Sequence, residues 1–117
     1  DGVRDPQVIA GRFVAHRRAR CAVNGYPGQV PSTMAEAYAI QDAALGLWED
    51  EVAGWKVGGV PTALQAGLGV HRVAGPIFRE QVRRANGAPV AVEAIPGGFF
   101  AVEAEFVARV GRDLPAD

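Results

Sequence analysis

The stretch Phe99-Phe-Ala-Val-Glu-Ala-Glu-Phe-Val-Ala-Arg-Val110 decides the predicted fold, because it alternates as a β-strand does. Every even-numbered position in it is apolar, which predicts one buried face. Glu103 and Glu105 share the other face, where a rise of about 3.3 Å per residue places their Cβ atoms roughly 7 Å apart. Two carboxylates at that spacing are able to share a hard divalent cation such as Mg²⁺ or Mn²⁺. The alternative interpretation is a solvent-exposed strand face on which Glu105 and Arg109 are ordinary surface charges.

Two helices are predicted in the first half of the chain. Asp5-Pro6 begins the first, which runs to about Cys21, because proline is favoured in a first helical turn. Thr33 caps the second, and Glu36 three residues later completes a capping box. One stripe of the second helix comprises Met34, Tyr38, Gln41, Leu45, Trp48 and Val52.

Shorter elements follow the second helix. The segment Gly54–Gly59 predicts a short strand that runs into a glycine turn. Pro61 begins a short helix that Gly69 is able to end. Residues 70–79 are expected to be irregular, because Gly75-Pro76 interrupts any regular element.

The last third of the chain is expected to begin a second, β-rich region. Strands are predicted over Pro89–Ile95 and Phe99–Val110, and the fold class is therefore α+β. Residues 1–88 form the predicted N-terminal α+β region, and residues 89–117 form the predicted start of a β-rich metal-binding domain. A buried strand needs partners on its edges, and few strand candidates precede this one, so that domain is expected to be truncated.

Composition excludes several classes of protein. Hydrophobic residues make up 49% of the 117 residues, which excludes a disordered chain. The 12 basic and 13 acidic residues nearly cancel, which argues against nucleic-acid or anionic-membrane partners. No apolar stretch approaches the roughly 18 residues that cross a bilayer. The single Cys21 fits a reducing compartment, so a cytoplasmic location is predicted.

Lys56 is the candidate catalytic residue of the predicted strand Gly54–Gly59. Its side chain points opposite to those of Trp55 and Val57. A partly buried lysine with a lowered pKa is able to serve as an acid, a base or an anchor for a carboxylate. The alternative interpretation is a surface lysine on an edge strand. The neighbouring glycines allow a ligand to approach the backbone closely, and they equally fit a turn.

Four stretches occur in a consistent order along nearly the whole chain. They are Thr33-Met-Ala-Glu-Ala-Tyr-Ala-Ile-Gln-Asp42, Gly54-Trp-Lys-Val-Gly58, Gln65-Ala-Gly-Leu-Gly69 with Gly75-Pro-Ile-Phe78, and Val102-Glu-Ala-Glu-Phe106 with Gly111-Arg-Asp-Leu-Pro115. Together they resemble the front half of the 2-keto-4-pentenoate hydratase and 4-oxalocrotonate decarboxylase family, within the fumarylacetoacetate hydrolase superfamily. The segment His71–Gly75 departs from that pattern, because many members carry an acidic residue there.

The resemblance implies a metal-dependent lyase that takes part in the catabolism of aromatic-derived compounds. Glu103 and Glu105 would be two of three carboxylate ligands to Mg²⁺ or Mn²⁺, and the third would lie beyond Asp117. Lys56 would hold the carboxylate of a 2-oxo or 2-hydroxydienoic acid, or would move a proton during ketonisation. The resemblance also implies a homo-oligomer. Two alternatives are a superfamily hydrolase that cleaves a C–C bond of an acylpyruvate, and a non-catalytic assembly module.

Overall fold

A computed structural model describes residues 2–116, and this part of the chain contains three α-helices and one two-stranded antiparallel sheet. The elements in chain order are α1 (Pro6–Arg18), α2 (Met34–Leu47), β1 (Val52–Gly59), α3 (Thr62–Leu68), β2 (Arg72–Phe78) and a 3₁₀ turn (Arg79–Gln81). The predicted mixture of helices and strands is therefore present, and the strands pair in antiparallel. Across residues 2–116, none of the helices combines the length and apolar character needed to span a bilayer.

Local capping bonds explain where the first two helices begin. The Asp5 carboxylate accepts a hydrogen bond from the Gln7 N–H at 2.9 Å, and α1 follows with Pro6 in its first turn. Thr33 Oγ1 accepts from the Glu36 N–H at 3.2 Å. Glu36 in turn accepts from the N–H of Ser32 at 2.7 Å, and this bond is the main cause that lowers the pKa of Glu36. Both predicted starts are confirmed, although α1 ends at Arg18 and not at Cys21.

The core lies between α1 and α2. Its buried members are Ile9, Ala10, Ile40 and Ala43. The side-chain stripe predicted for α2 is half-buried from Met34 to Trp48, but its last member, Val52, lies beyond the helix at the start of β1 and is exposed. Ile40 and Ala43 face α1, whereas Tyr38 and Gln41 reach the sheet.

The sheet is an antiparallel hairpin in which β1 pairs with β2, with Lys56 opposite Gly75 and a register shift between Val52 and Gly54. The expectation that residues 70–79 are irregular is wrong, because β2 spans most of them. Pro76 is tolerated because it lies where a backbone N–H would point away from β1. It therefore removes no hydrogen bond from the ladder.

The outer edge of β2 is covered by side chains. The Ala74 N–H donates to the Tyr38 hydroxyl at 3.1 Å, and Gln41 Nε2 donates to the Ala74 carbonyl at 3.0 Å. Both backbone groups of Ala74 thus point away from β1 and are satisfied by α2. The Phe78 N–H, four residues further on the same edge, donates to Gln81 Oε1. The two bonds to Ala74 join α2 to the sheet, and together with the Phe78 bond they occupy backbone groups that an added strand would need.

The predicted strands Pro89–Ile95 and Phe99–Val110 are not formed, since residues 82–116 contain no regular element. A strand requires a backbone partner, and alternation alone does not provide one. Apolar side chains of the segment, including Phe99 and Phe106, are almost fully exposed. The regular elements of the described residues therefore fall within the predicted region 1–88, and the β-rich second domain stays a prediction.

Candidate functional site

Lys56 lies in the middle of β1, on the face that points away from Trp55 and Val57. Its nearest neighbours on that face are Gly54 and Gly58, two positions away along the strand. The residue directly opposite on β2 is Gly75. The lysine therefore has no side chain beside it along β1 and none directly across on β2, and it is 44% exposed.

Glu103 and Glu105 both reach Lys56 from the irregular segment. Lys56 Nζ lies 3.5 Å from Glu103 Oε2 and also contacts Glu105 Oε1. The two carboxylates consequently lie on one side of their segment, although no strand orients them. Three side chains separated by 47 and 49 positions in sequence are thus brought to one point.

Stability does not account for this cluster. All three side chains are substantially exposed, and exposed ion pairs contribute only about 0–1 kcal/mol. The arrangement instead presents two carboxylates that converge on a single positive centre. It also presents an ammonium group with three N–H donors next to open backbone. Such a cluster is able to bind a cation through its oxygens and an anion through its nitrogen.

The donor chemistry of Glu103 and Glu105 fits part of a Mg²⁺ or Mn²⁺ shell. Carboxylate oxygens are the ligands that these hard ions prefer. Within residues 2–116, no three His, Cys, Asp or Glu residues are grouped as a complete metal site. The pair would supply two positions of a six-coordinate shell, and the Lys56 ammonium lies on the same side of both carboxylates.

The two histidines have local partners. His71 Nδ1 lies 2.7 Å from Gln65 Oε1, and His16 Nδ1 lies 2.9 Å from the Arg12 carbonyl. Gln65 also donates to the Val60 carbonyl, so its side chain connects α3 both to the residue that follows β1 and to His71. These contacts are structural, and Cys21 is an exposed free thiol.

The Lys56 cluster is an open surface site. Three concave regions occur elsewhere, with volumes of about 310, 200 and 830 Å³, and Lys56, Glu103 and Glu105 line none of them. The largest is bordered by the arginines at the end of α1 and by Glu93, which pairs with Arg20. That ion pair links the residues just after α1 to the segment that carries both glutamates.

The sequence interpretation missed Gly75 as a neighbour of Lys56, because it treated Gly75-Pro76 only as an interruption. The register of β1 and β2 reveals the relationship, and no local signal predicts that register. A functional assignment therefore rests on Lys56, Glu103, Glu105 and the motifs around them, since comparison of the chain with protein-family models, curated proteins and solved structures finds no match.

Proposed function

We propose that this chain carries part of the active site of a divalent-metal-dependent hydratase or decarboxylase that acts on a 2-oxo or 2-hydroxydienoic acid. The observation that supports the proposal is the convergence of Lys56 with Glu103 and Glu105. A simple surface ion pair joins one acid and one base. Here two carboxylates of an extended segment meet one lysine, as a shared cation site and an adjacent anion site require.

Glu103 and Glu105 would hold Mg²⁺ or Mn²⁺, which when bound supplies Lewis-acid stabilisation of an enolate. Lys56 stands beside that position and donates hydrogen bonds. It therefore holds the carboxylate of the acid substrate or transfers a proton as the enol becomes a ketone. Either role needs an ammonium that turns from the carboxylates toward the substrate when the cation is bound, and the flexible four-carbon stem of lysine allows this.

The proposal extends to the fold and the assembly. The segment 82–116 would belong to a β-rich catalytic domain of the fumarylacetoacetate hydrolase type, which contributes the third carboxylate. The exposed apolar side chains Phe99, Val102 and Phe106 would be covered there or in a homo-oligomer. The exposed thiol of Cys21 is compatible with a reducing cytoplasm.

Metal binding is tested by titrating the 117-residue chain with Mn²⁺ and following paramagnetic broadening of its amide signals. We expect broadening around residues 54–58 and 101–107. The substitutions Glu103→Gln and Glu105→Gln should each abolish it, because each removes a charged ligand. Glu93→Gln is the matched control: it lies in the same segment and pairs with Arg20, and it should leave the pattern unchanged.

Broadening that is spread over the surface, or that survives both glutamate substitutions, would contradict the metal assignment and favour the non-catalytic module. Product analysis separates the enzymatic candidates when Mg²⁺-dependent turnover is present. A hydratase consumes 2-hydroxypenta-2,4-dienoate without releasing CO₂, and a decarboxylase releases CO₂ from a 2-oxo diacid. A C–C hydrolase releases pyruvate and a second carboxylate from an acylpyruvate and water.

A further inference from the structure

A cavity of about 200 Å³ lies where both long helices meet β2. Its wall is formed by side chains of α1, α2 and β2, and Arg17 and Gln41 are the polar members of an otherwise apolar and aromatic lining. Pro76 lines the cavity from β2 and alternates with Gly75, the residue opposite Lys56. Successive residues of a strand point to opposite faces, so the cavity and the Lys56 cluster lie on different faces of the hairpin.

The guanidinium of Arg17 lies over two aromatic rings of this cavity. Its Cζ atom is 4.8 Å from the centroid of the Trp48 ring and 5.3 Å from that of the Phe78 ring. Both distances fall within the roughly 6 Å at which a ring face attracts a cation. Contact with the rings holds the guanidinium in place and leaves the N–H donors that point away from them unused.

No carboxylate neutralises Arg17 within the described residues. Across residues 2–116 it forms no ion pair and no side-chain hydrogen bond. The next residue, Arg18, differs, because it donates to the Leu47 carbonyl at 2.7 Å and lies 3.7 Å from Glu49 Oε1. A guanidinium has a planar fork of donors that matches a carboxylate, so Arg17 is complementary to a single carboxylate group.

The size of the cavity limits the rest of the ligand. An apolar cavity of roughly 150 Å³ takes up benzene, whereas sites for drug-sized ligands measure about 300–1,000 Å³. A volume of about 200 Å³ therefore suits one six-membered ring, or an aliphatic group of equal bulk, with one small substituent. Ligand sites are commonly apolar with a few polar groups that fix the orientation, and Arg17 is placed to do so here.

We propose that this cavity binds a compact apolar monocarboxylate, with its hydrocarbon body against Phe13, Trp48 and Phe78 and its carboxylate on the guanidinium of Arg17. The site is separate from the metal site under the proposed function and does not depend on it. Because α1, α2 and β2 all contribute to the wall, a bound acid would join the helices to the hairpin and stabilise the folded chain.

The test compares cyclohexanecarboxylate with cyclohexanecarboxamide, which has nearly the same shape and no charge. Both are titrated without added metal into the Trp55→Phe chain, in which Trp48 is the remaining tryptophan and its fluorescence reports binding. We expect the acid to bind about fivefold more tightly or better, because charge-assisted hydrogen bonds are roughly twice as strong as neutral ones. Its binding should also raise Tm. Arg17→Met should weaken acid binding about fivefold and leave amide binding unchanged.

Arg18→Met is the matched control. Arg18 follows Arg17 in α1 and its Cζ atom lies 6.0 Å from the Trp48 ring centroid, but it does not line the cavity. This variant should bind both compounds within about twofold of the unaltered chain, since exposed charges are screened by salt. Ala44→Leu fills the cavity from α2 and should abolish binding of both compounds while Tm stays equal or rises.

Equal binding of acid and amide, binding of neither, or unchanged acid binding in Arg17→Met would overturn the proposal. Equal losses in Arg17→Met and Arg18→Met would also overturn it and assign the attraction to the general positive charge at the end of α1. Loss of acid binding in Lys56→Met would place the acid on the other face of the hairpin. Dissociation of an oligomer in Ala44→Leu would assign the cavity to a contact between copies of the chain. If Ala44→Leu does not fold, the Arg17→Met comparison decides alone.

Discussion

Replacing Lys56 by methionine is expected to strengthen metal binding, even though Lys56 is proposed to act on the substrate. The ammonium lies 3.5 Å from Glu103 Oε2 and contacts Glu105, so it neutralises the two carboxylates that a cation needs. A bound cation must therefore displace the lysine or tolerate its charge. Lys56→Met removes this competition and keeps most of the side-chain volume.

The size of the effect follows from the distances. Two unit charges 4 Å apart interact by about 1 kcal/mol in water, and a divalent ion doubles that to about 2 kcal/mol. Screening at physiological salt and the movement of a half-exposed side chain remove roughly half of it. The remaining gain of about 1 kcal/mol corresponds to roughly fivefold tighter binding.

Calorimetric titration with Mg²⁺ measures this difference. We expect Lys56→Met to bind about three- to tenfold more tightly than the unaltered chain, and the advantage should shrink as salt is raised. Lys56→Arg keeps the charge and should bind like the unaltered chain. In the double variant Lys56→Met, Glu103→Gln the gain should disappear. Equal or weaker binding by Lys56→Met would refute the idea that the lysine competes for the carboxylates.

Two further predictions concern the fold. Hydrogen bonds from Ser32 lower the pKa of Glu36 below its ordinary value of 4.5. The ionised Glu36 carboxylate therefore stabilises the folded state fully above pH 4.5, and this stabilisation is lost as the pH falls through the lowered pKa. Glu36→Gln should therefore flatten the acid side of the stability profile, measured by urea unfolding between about pH 3 and pH 6; an unchanged slope would contradict this role. Phe78 is 3% exposed, so Phe78→Ala should destabilise the protein by about 3–5 kcal/mol. Phe106→Ala, at a fully exposed position, should change stability by less than about 0.5 kcal/mol, and similar losses for both would contradict the burial of Phe78.

The starts of the helices were predictable because their causes are local. Thr33 and Glu36 lie within one turn of each other, and the bonds between them and Ser32 need no other part of the chain. Gly69 ends α3 in the left-handed conformation for an equally local reason. Patterns of this kind predict structure reliably, since residues a few positions apart supply both partners.

Pairing over longer distances was not predictable in the same way. Gly75-Pro76 looks like an interruption in isolation, and only the register with β1 shows that Pro76 removes no ladder hydrogen bond. Phe99–Val110 shows the opposite error: its alternation looks like a strand, but residues 2–116 provide no strand for it to pair with. For the site, residue chemistry singled out Lys56, Glu103 and Glu105, while their meeting point depends on ion pairs across nearly 50 residues.

Because the outer edge of β2 is covered, the two-stranded sheet is open to extension only along β1. With the Ala74 backbone bonded to α2 and no donor on Pro76, an additional strand has only the β1 side to join. Val57 lies opposite Ala74, so its own N–H and C=O point outward along that side. A strand added there would turn β1 from a border into the centre of a three-stranded sheet. Lys56 would then lie on the central strand of a wider sheet, with side chains of the added strand next to it on the side that is now open.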